Sequence, residues 1–494
     1  MSNATYAVRV DWNADGDYLD TGEDVTSRVL ARQEVAIRRG RDQLSLLGGP
    51  IAGNCGFLLD NISRDYSPDN SSSPLSGNLL PQRKVNVQAT FLGSIYDLVT
   101  GHIQRYTQNP RRNERSVSVQ LLGSLAKLVT STEENKISTA LYQDILTSTA
   151  IGYVLDAIGF PAGDRVIGTG LTTLSFWWLH GADPFQALVD LVMTEGPGTC
   201  CYEDGSGKIH FENRHYRLLT SRSVNSQATF SDVSSSEPAF GPEFSYEDGV
   251  EGIINICRLE VKKRAIAGSV AQVWQYGASL TLGPSEARSI AVVASDPFVE
   301  AVAPQAGTDY TVTAGSLASV VLDRASGQSC TITLTAGTSG AVVTGLQLRA
   351  KAVSVTSTML IQNTISTATS QTRYGQRPYK WPARAEIDPR VAQDFCNWIV
   401  QQYQEPRAKV RFQLVNRADS PLTQSLTREI SDRITVVEPQ TGLNGAFWIE
   451  QIEHKVRQAG GIHETIIGCE RIIGNQTYWI LGTSKLGTET RLGW

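Results

Sequence analysis

The sequence predicts a mainly β protein with an α+β domain in its middle and a β-sandwich inserted near its end. Three observations lead there. Short alternating strands separated by turn residues fill residues 5–127 and return beyond residue 405. Strong helix signals are confined to residues 140–215 and one segment near residue 390. Residues 263–372 are rich in Ala, Ser, Thr, Val and Gly and nearly devoid of helix signals.

Composition sets the frame. A chain of 494 residues is too long for one core, so roughly three or four domains of ~100–150 residues each follow. Hydrophobic content of 41% and charged content of 19% describe a folded chain. Lys plus Arg is 44 against 49 for Asp plus Glu, a net charge of −5 with no basic bias toward nucleic acid. The seven cysteines form no CxxC or Cys/His cluster and read as small buried residues. The N-terminus "MSNATYAVRV" lacks the apolar core of a signal peptide, and no apolar run reaches the ~20 residues of a membrane span.

The elements follow in order. "YAVRV", "EVAIRRGR" and "CGFLLDN" are short strands. In "KVNVQATFL" strict alternation puts Val85, Val87, Ala89 and Phe91 on one face. "YDLVTGHIQRYTQN" and "RSVSVQLLG" complete a barrel or sandwich. "STAIGYVLDAIGFP" then sets Ile151, Val154, Leu155 and Ile158 on a helical stripe, stopped by Gly159 and Pro161. "ADPFQALVDLVMTEG" is a helix with Asp183 as N-cap, Pro184 at N1 and Gly196 past its end. "TCCYEDGSGKIHFENR" is a hairpin turning at "DGSG". Residues 216–262 are loop and strand, and 263–372 an inserted β-sandwich. "DPRVAQDFCNWIVQQYQEP" is a helix capped by Asp388 and Pro389, with four strands after it.

One stretch has a chemist's spacing. In "DWNADGDYLDTGEDVT", Asp11, Asn13 and Asp15 occupy positions 1, 3 and 5 of a calcium loop, Gly16 position 6 and Asp17 position 7. Position 12 is Gly22, which has no ligand, so Asp20 or Glu23 must supply the last oxygens. Six carboxylates between Asp11 and Asp24 repel one another unless a cation or open water screens them. The candidate ligands of a structural calcium are therefore Asp11, Asn13, Asp15, Asp17, Asp20 and Glu23. The alternative is a solvated acidic turn made by Asn13, Asp15 and Gly16. The flanks "YAVRV" and "VLARQEVAI" read as strands, not the helices of an EF-hand.

No catalytic set accompanies it. GxSxG, HExxH, a P-loop and a GxGxxG after a strand are all missing. His210 and His215 read as lying on opposite faces of a strand, and His463 sits in a strand pattern. "SFWWL" is either a sugar platform or a core strand. The chain reads as no enzyme, with no cofactor beyond that calcium.

Four stretches carry a resemblance: "VDWNADGDYLDTGEDVT", "LLPQRKVNVQATFLGSIYDLVTGHI", the run from "VLDAIGFPAGDRVIGTG" through "KIHFENRH", and "WILGTSKLGTETRLGW". In that order, with the strands of residues 430–472, they resemble the baseplate-hub or tail-tip proteins of tailed bacteriophages, especially the minor tail proteins of long-tailed siphophages. The likeness covers most of the chain and is weakest over 263–372. It implies a homotrimer with two tail-tube-like β-barrels per subunit, a pseudo-hexameric ring adapting a sixfold tail tube to a threefold tip. The implied division is a first barrel at 1–130, an α+β middle domain at 131–234, a second barrel split between 235–262 and 375–474, the insert at 263–374 and a C-terminal tail at 475–494, whose Leu-Gly steps and Trp494 read either as an interaction tail or as a final hairpin on the second barrel. The implied partners are further copies of the chain, the distal tail protein ring, the tail tube, the tape-measure protein, and tip fibres or receptor-binding proteins. The implied place is the virion tail, after synthesis in the host bacterial cytoplasm, with no stable nucleic-acid binding and no membrane segment. Two rival readings remain from the residues alone: a tail-associated carbohydrate-binding receptor protein, and a cell-wall or capsule-degrading enzyme.

Overall fold

The computed structural model describes residues 3–31, 33–41, 47–129, 136–233, 238, 240–382, 386–457 and 461–472. The C-terminal tail expected at 475–494 lies outside them.

The chain opens with six antiparallel strands: β1 (Thr5–Asp11), β2 (Val35–Gly40), β3 (Asn54–Asp60), β4 (Lys84–Phe91), β5 (Ser94–Asn109) and β6 (Ser116–Gly123). Alternation sets their inner face: Val85, Val87, Ala89 and Phe91 of β4 are all buried. They share a core with Val8 and Val10 of β1 and Phe57 and Leu59 of β3.

The middle of the chain is β7 (Tyr142–Leu146), α1 (Thr147–Ala157), β8 (Arg165–Ile167), β9 (Thr173–Trp177), α2 (Pro184–Glu195), β10 (Cys200–Glu203) and β11 (Ile209–Glu212), followed by the short helices α3 (Tyr216–Leu219) and α4 (Ser221–Val224). The Asp183 carboxylate accepts the Gln186 N–H at 2.8 Å, which caps α2. At its other end Gly196 has φ +117°, and a Cβ there would stand 2.5 Å from the Phe395 ring. The turn and the close packing both need glycine.

Then come β12 (Thr229–Ser231), β13 (Phe244–Glu247) and the long β14 (Ile256–Ile266). The insert holds β15 (Ala271–Gln275), β16 (Leu280–Leu282), β17 (Ala287–Val293), β18 (Phe298–Val302), β19 (Thr311–Arg324), β20 (Ser329–Thr344) and β21 (Gln347–Gln362). They form two sheets, one around β20 and one around β21, whose inner faces meet in a core that includes Val292, Ile332, Phe298 and Leu348. The chain ends its described course with α5 (Ala368–Tyr374), β22 (Pro378–Lys380), α6 (Pro389–Tyr403), β23 (Lys409–Val415), α7 (Asp419–Thr427), β24 (Arg433–Glu438), β25 (Leu443–Arg457) and β26 (Ile462–Arg471).

The protein is thus mostly β with a few helices, and its two β-rich units are one sheet. The strand order is β1-β4-β5-β6-β3-β2-β25-β26-β23-β13, with β24 on β25 and β12 on β24. The join is β2 against β25, in register from Val35↔Val456 to Gly40↔Gln451. β25 serves both units: its first half pairs β24, its second half β2. The first unit also curls so that its free edge, β1, returns beside the end of β25 and β26. Val456 lies in the core of Val8 and Val10, and Tyr6 reaches His463.

The structure departs from the sequence expectation at five places. β14 pairs with β21 from Arg258↔Gln362 to Ile266↔Val353, so residues 256–262 are the stem of the insert rather than part of the second unit. β12 pairs with β24, so that unit begins before residue 235. Helix α6, expected within 375–474, packs Phe395 and Ile399 into the core of α1 and α2. Helix α7 was unsignalled; it lays Leu422 and Leu426 against the first unit. The flank "VLARQEVAI", expected as one strand, makes an isolated bridge from Val29 to Leu59, and β2 begins only at Val35.

Candidate metal centre

The acidic loop leaves β1 at Asp11 and comes back across it. Val10 donates to the Glu23 carbonyl at 2.8 Å, Val25 to the Val8 carbonyl at 3.0 Å, and Arg9 bridges Asp24. The loop is therefore anchored at its base by main-chain bonds. Local side-chain bonds shape it. Asp11 accepts the Ala14 and Gly16 amides at 2.6 and 3.1 Å. Glu23 accepts the Trp12 and Asp20 amides, both at 3.1 Å. Gly16 and Gly22 have φ +99° and +93°, the left-handed region the two turns require.

Three of the six candidate ligands come together. Carboxylate oxygens of Asp11, Asp15 and Glu23 lie within 4.8 Å of one another. Asn13 sits beside them: its amide nitrogen is 2.9 Å from Asp15 Oδ2 and 2.6 Å from Asp20 Oδ2. Asp17 and Asp20 are not in the trio. Asp17 accepts the Leu19 amide at 2.9 Å, and both side chains are exposed on the outer part of the loop. Glu23, one residue beyond the Gly22 position that has no side-chain oxygen, brings its carboxylate to this group.

The electrostatics fit a hard cation. Asp11 and Glu23 are 4% and 1% exposed, and no basic side chain among the described residues pairs with either. Buried carboxylates without a counter-charge are costly. Burial accordingly pushes the Glu23 carboxyl up, whereas hydrogen bonds, that from the Asp17 N–H first, hold the Asp15 carboxyl down. The Tyr18 hydroxyl is buried beside Asp11 and Glu23 without a hydrogen-bond partner among the described residues. An all-oxygen set with two buried anions is the donor chemistry that calcium takes.

The other residues singled out in the sequence do not converge. His210 stands 2.9 Å from Asp204 and stacks on Tyr202, while His215 lies beyond the strand at the start of α3. In "SFWWL", Trp177 and Leu179 are core, and Trp178 lies under the Arg264 guanidinium. All seven cysteines are free and buried. No helix among the described residues is long and apolar enough to cross a membrane.

Two polar clusters escaped sequence reading. Tyr6 Oη, His463, His454 and Thr465 form a buried chain. Glu450 sits between Arg217 and Arg41 where β25 meets the middle domain. The contacts Tyr6–His463, Arg41–Glu450 and Arg217–Glu450 join residues 457, 409 and 233 apart, so no local spacing announces them.

No family model matches the sequence, and a search of curated proteins finds no relative. Among solved structures the chain is similar to the 43 kDa tail protein of prophage MuSo2 from Shewanella oneidensis, at 10% identity and TM-score 0.46 over 94% of this chain and 98% of that one. It is similar also to a tail protein from Neisseria meningitidis MC58, at 9% identity and TM-score 0.47 over 95% and 96%. A third is the prophage tail protein gp18 from Listeria monocytogenes EGD-e, at 8% identity and TM-score 0.40 over 94% of each chain.

Proposed function

We propose that the chain is a structural protein of a phage tail tip, the central hub, and that it acts as a homotrimer. The observation that carries this reading is the β2–β25 join. One chain holds two β-rich units side by side in a single sheet, so three chains bring six such units, the number a sixfold tail tube presents. The family resemblance of the sequence supports the same reading. On it, the two units are tube-like barrels, and the ring passes from the tail tube and distal tail protein ring on one side to the tip on the other. The tape-measure protein and tip fibres or receptor-binding proteins are the remaining neighbours. The work is done through interfaces of more than ~2,000 Å² rather than in a pocket, and the protein is no enzyme. It resides in the virion tail. Calcium at Asp11, Asp15 and Glu23 has a structural role, fixing the loop at the edge of the first unit.

Electron microscopy of virions and of the purified protein tests the reading. A threefold particle with six similar densities around an axis is expected. A twofold assembly, or a cell-wall or capsule clearing activity lost on changing one carboxylate, overturns it.

A further inference from the structure

The acidic loop and a basic hairpin leave the first unit at the same end. β1 runs outward to Asp11, opposite Lys84. Lys84 faces His102 of β5, which continues outward to Asn109 before turning back into β6 at Ser116. The loop of residues 11–24 carries six acids and no base, whereas "RRNER" at the hairpin tip carries three arginines and one glutamate. Beside that tip lies a groove of about 430 Å³ with Leu30 and Ile62 as its apolar wall and Arg112 and Arg115 on its rim. Ile62 is 64% exposed. Two acids also line it, but Asp60 accepts the Ile62 amide and Glu114 already has a partner. Neither arginine has a carboxylate within ion-pair distance among the described residues.

The complement is in the same chain. Leu19 is 88% exposed, flanked by the exposed Asp17 and Asp20, on the part of the loop that stands outside the Asp11–Asp15–Glu23 trio. One exposed leucine is ordinary by itself. This one is framed by two anions, and the groove offers an apolar wall framed by two cations. The two patches are distinct surfaces, so each copy can give the loop to one neighbour and receive it from another. Head-to-tail contacts of that kind close rings.

We propose that Leu19, with Asp17 and Asp20, docks into the Arg112–Arg115 groove of a second copy of this chain. This rests on the ring reading given above and names the contact that holds the ring together. Electrostatic pairing at its rim makes assembly salt-dependent and sets the register of neighbours.

Two measurements on the full chain test it. In the first, Leu19→Cys and Ile62→Cys proteins are mixed and mildly oxidised; the native cysteines are buried and stay out of the reaction. A mixed disulfide dimer, two thiols losing two protons and two electrons to dissolved oxygen, is expected, and neither variant alone should give it. In the second, sedimentation compares Asp17→Lys/Asp20→Lys, Arg112→Glu/Arg115→Glu and their equimolar mixture. Each variant alone should weaken self-association at least ~tenfold, and mixing should recover part of it, because opposite charges meet wherever the two variants touch, which is at most two of the three contacts of a threefold ring. Wild-type-like association of both variants, with no mixed disulfide, overturns the docking contact and leaves a threefold ring standing. A mixed disulfide from a protein that never forms a threefold ring overturns the hub reading and leaves the contact. Variants that keep the ring but lose another tail protein show that the groove takes a different occupant, and overturn it too.

Discussion

Tyr6 Oη lies 2.9 Å from His463 Nδ1, a hydrogen bond between the first strand of the chain and its last described strand. His463 is fully buried and continues the chain through its Nε2 to His454 Nδ1, 3.0 Å away. The bond fastens the free edge of the first unit to the sheet it curls back upon. Tyr6→Phe should remove it and leave a buried ring nitrogen without a partner. The expected loss is about 1–2 kcal/mol of unfolding free energy, read by urea denaturation. His463→Phe with Tyr6→Phe should lose less than the sum of the two single changes.

Buried histidines, two of them in this hydrogen-bonded chain, make stability depend on pH. Burial pushes His463 down to about 4, His102 down to about 4, and His454 well below its ordinary value. A histidine whose folded pKa is depressed contributes stability that is complete above the unfolded value of ~6.5 and lost as pH falls toward the folded value. Between pH 6.5 and 4 each such group should cost about 1.4 kcal/mol per pH unit. His463→Gln should flatten that limb of the urea midpoint against pH. An unchanged slope would remove His463 from the account.

Glu203 works in the opposite sense. Its carboxylate is buried against the Gly53 and Leu125 amides, and burial pushes it up to about 7. A carboxyl with a raised folded pKa contributes stability that is complete below its unfolded value near 4.5 and lost as pH rises through about 7. Glu203→Gln keeps an oxygen for those amides and cannot ionise. Relative to wild type it should be more stable at pH 8 than at pH 5.

Glu450 is the charge that joins three parts of the chain. It accepts from Arg217 of α3 and from Arg41 just after β2, and is itself on β25. Arg217 also donates to Ser431 Oγ at 3.0 Å and faces the Trp448 ring. Glu450→Ala takes the carboxylate from two buried guanidinium groups and should cost roughly 3–5 kcal/mol. Replacing Glu450 and Arg217 together by apolar residues should recover part of that, which a double-mutant cycle would show.

Calcium should bind to chelator-treated protein with measurable heat at millimolar concentration, and Asp11→Asn with Asp15→Asn should abolish it. At a hundredfold excess over Kd the ion should add about 2.7 kcal/mol to unfolding. Asp17→Asn should bind nearly as the wild type does, because Asp17 lies outside the trio. Absence of heat would leave an acidic turn alone.

The sequence by itself determined whatever local rules govern. Both capped helices begin where Asp-Pro places them, at Pro184 and Pro389, because an N-cap carboxylate and a proline act within one turn. Strand β4 shows its buried face in plain alternation. The turn from Asp11 to Gly16 is legible for the same reason, since Asp11 accepts the Ala14 and Gly16 amides, its neighbours in the chain. Tertiary structure decided the rest. Helix α7 has only Leu422 and Leu426 to bury, too weak a stripe to read, and forms because the first unit covers it. Helix α6 is plain as a helix, but its place against α2 rests on Phe395 meeting Gly196 across about 200 residues. Glu23 closes the acidic trio only because the returning loop bonds to Val8 and Val10 of β1 and carries it back over Asp11. Which strands pair, β2 with β25 and β14 with β21, depends on shape and burial summed over distant segments, and no spacing along the chain records that sum.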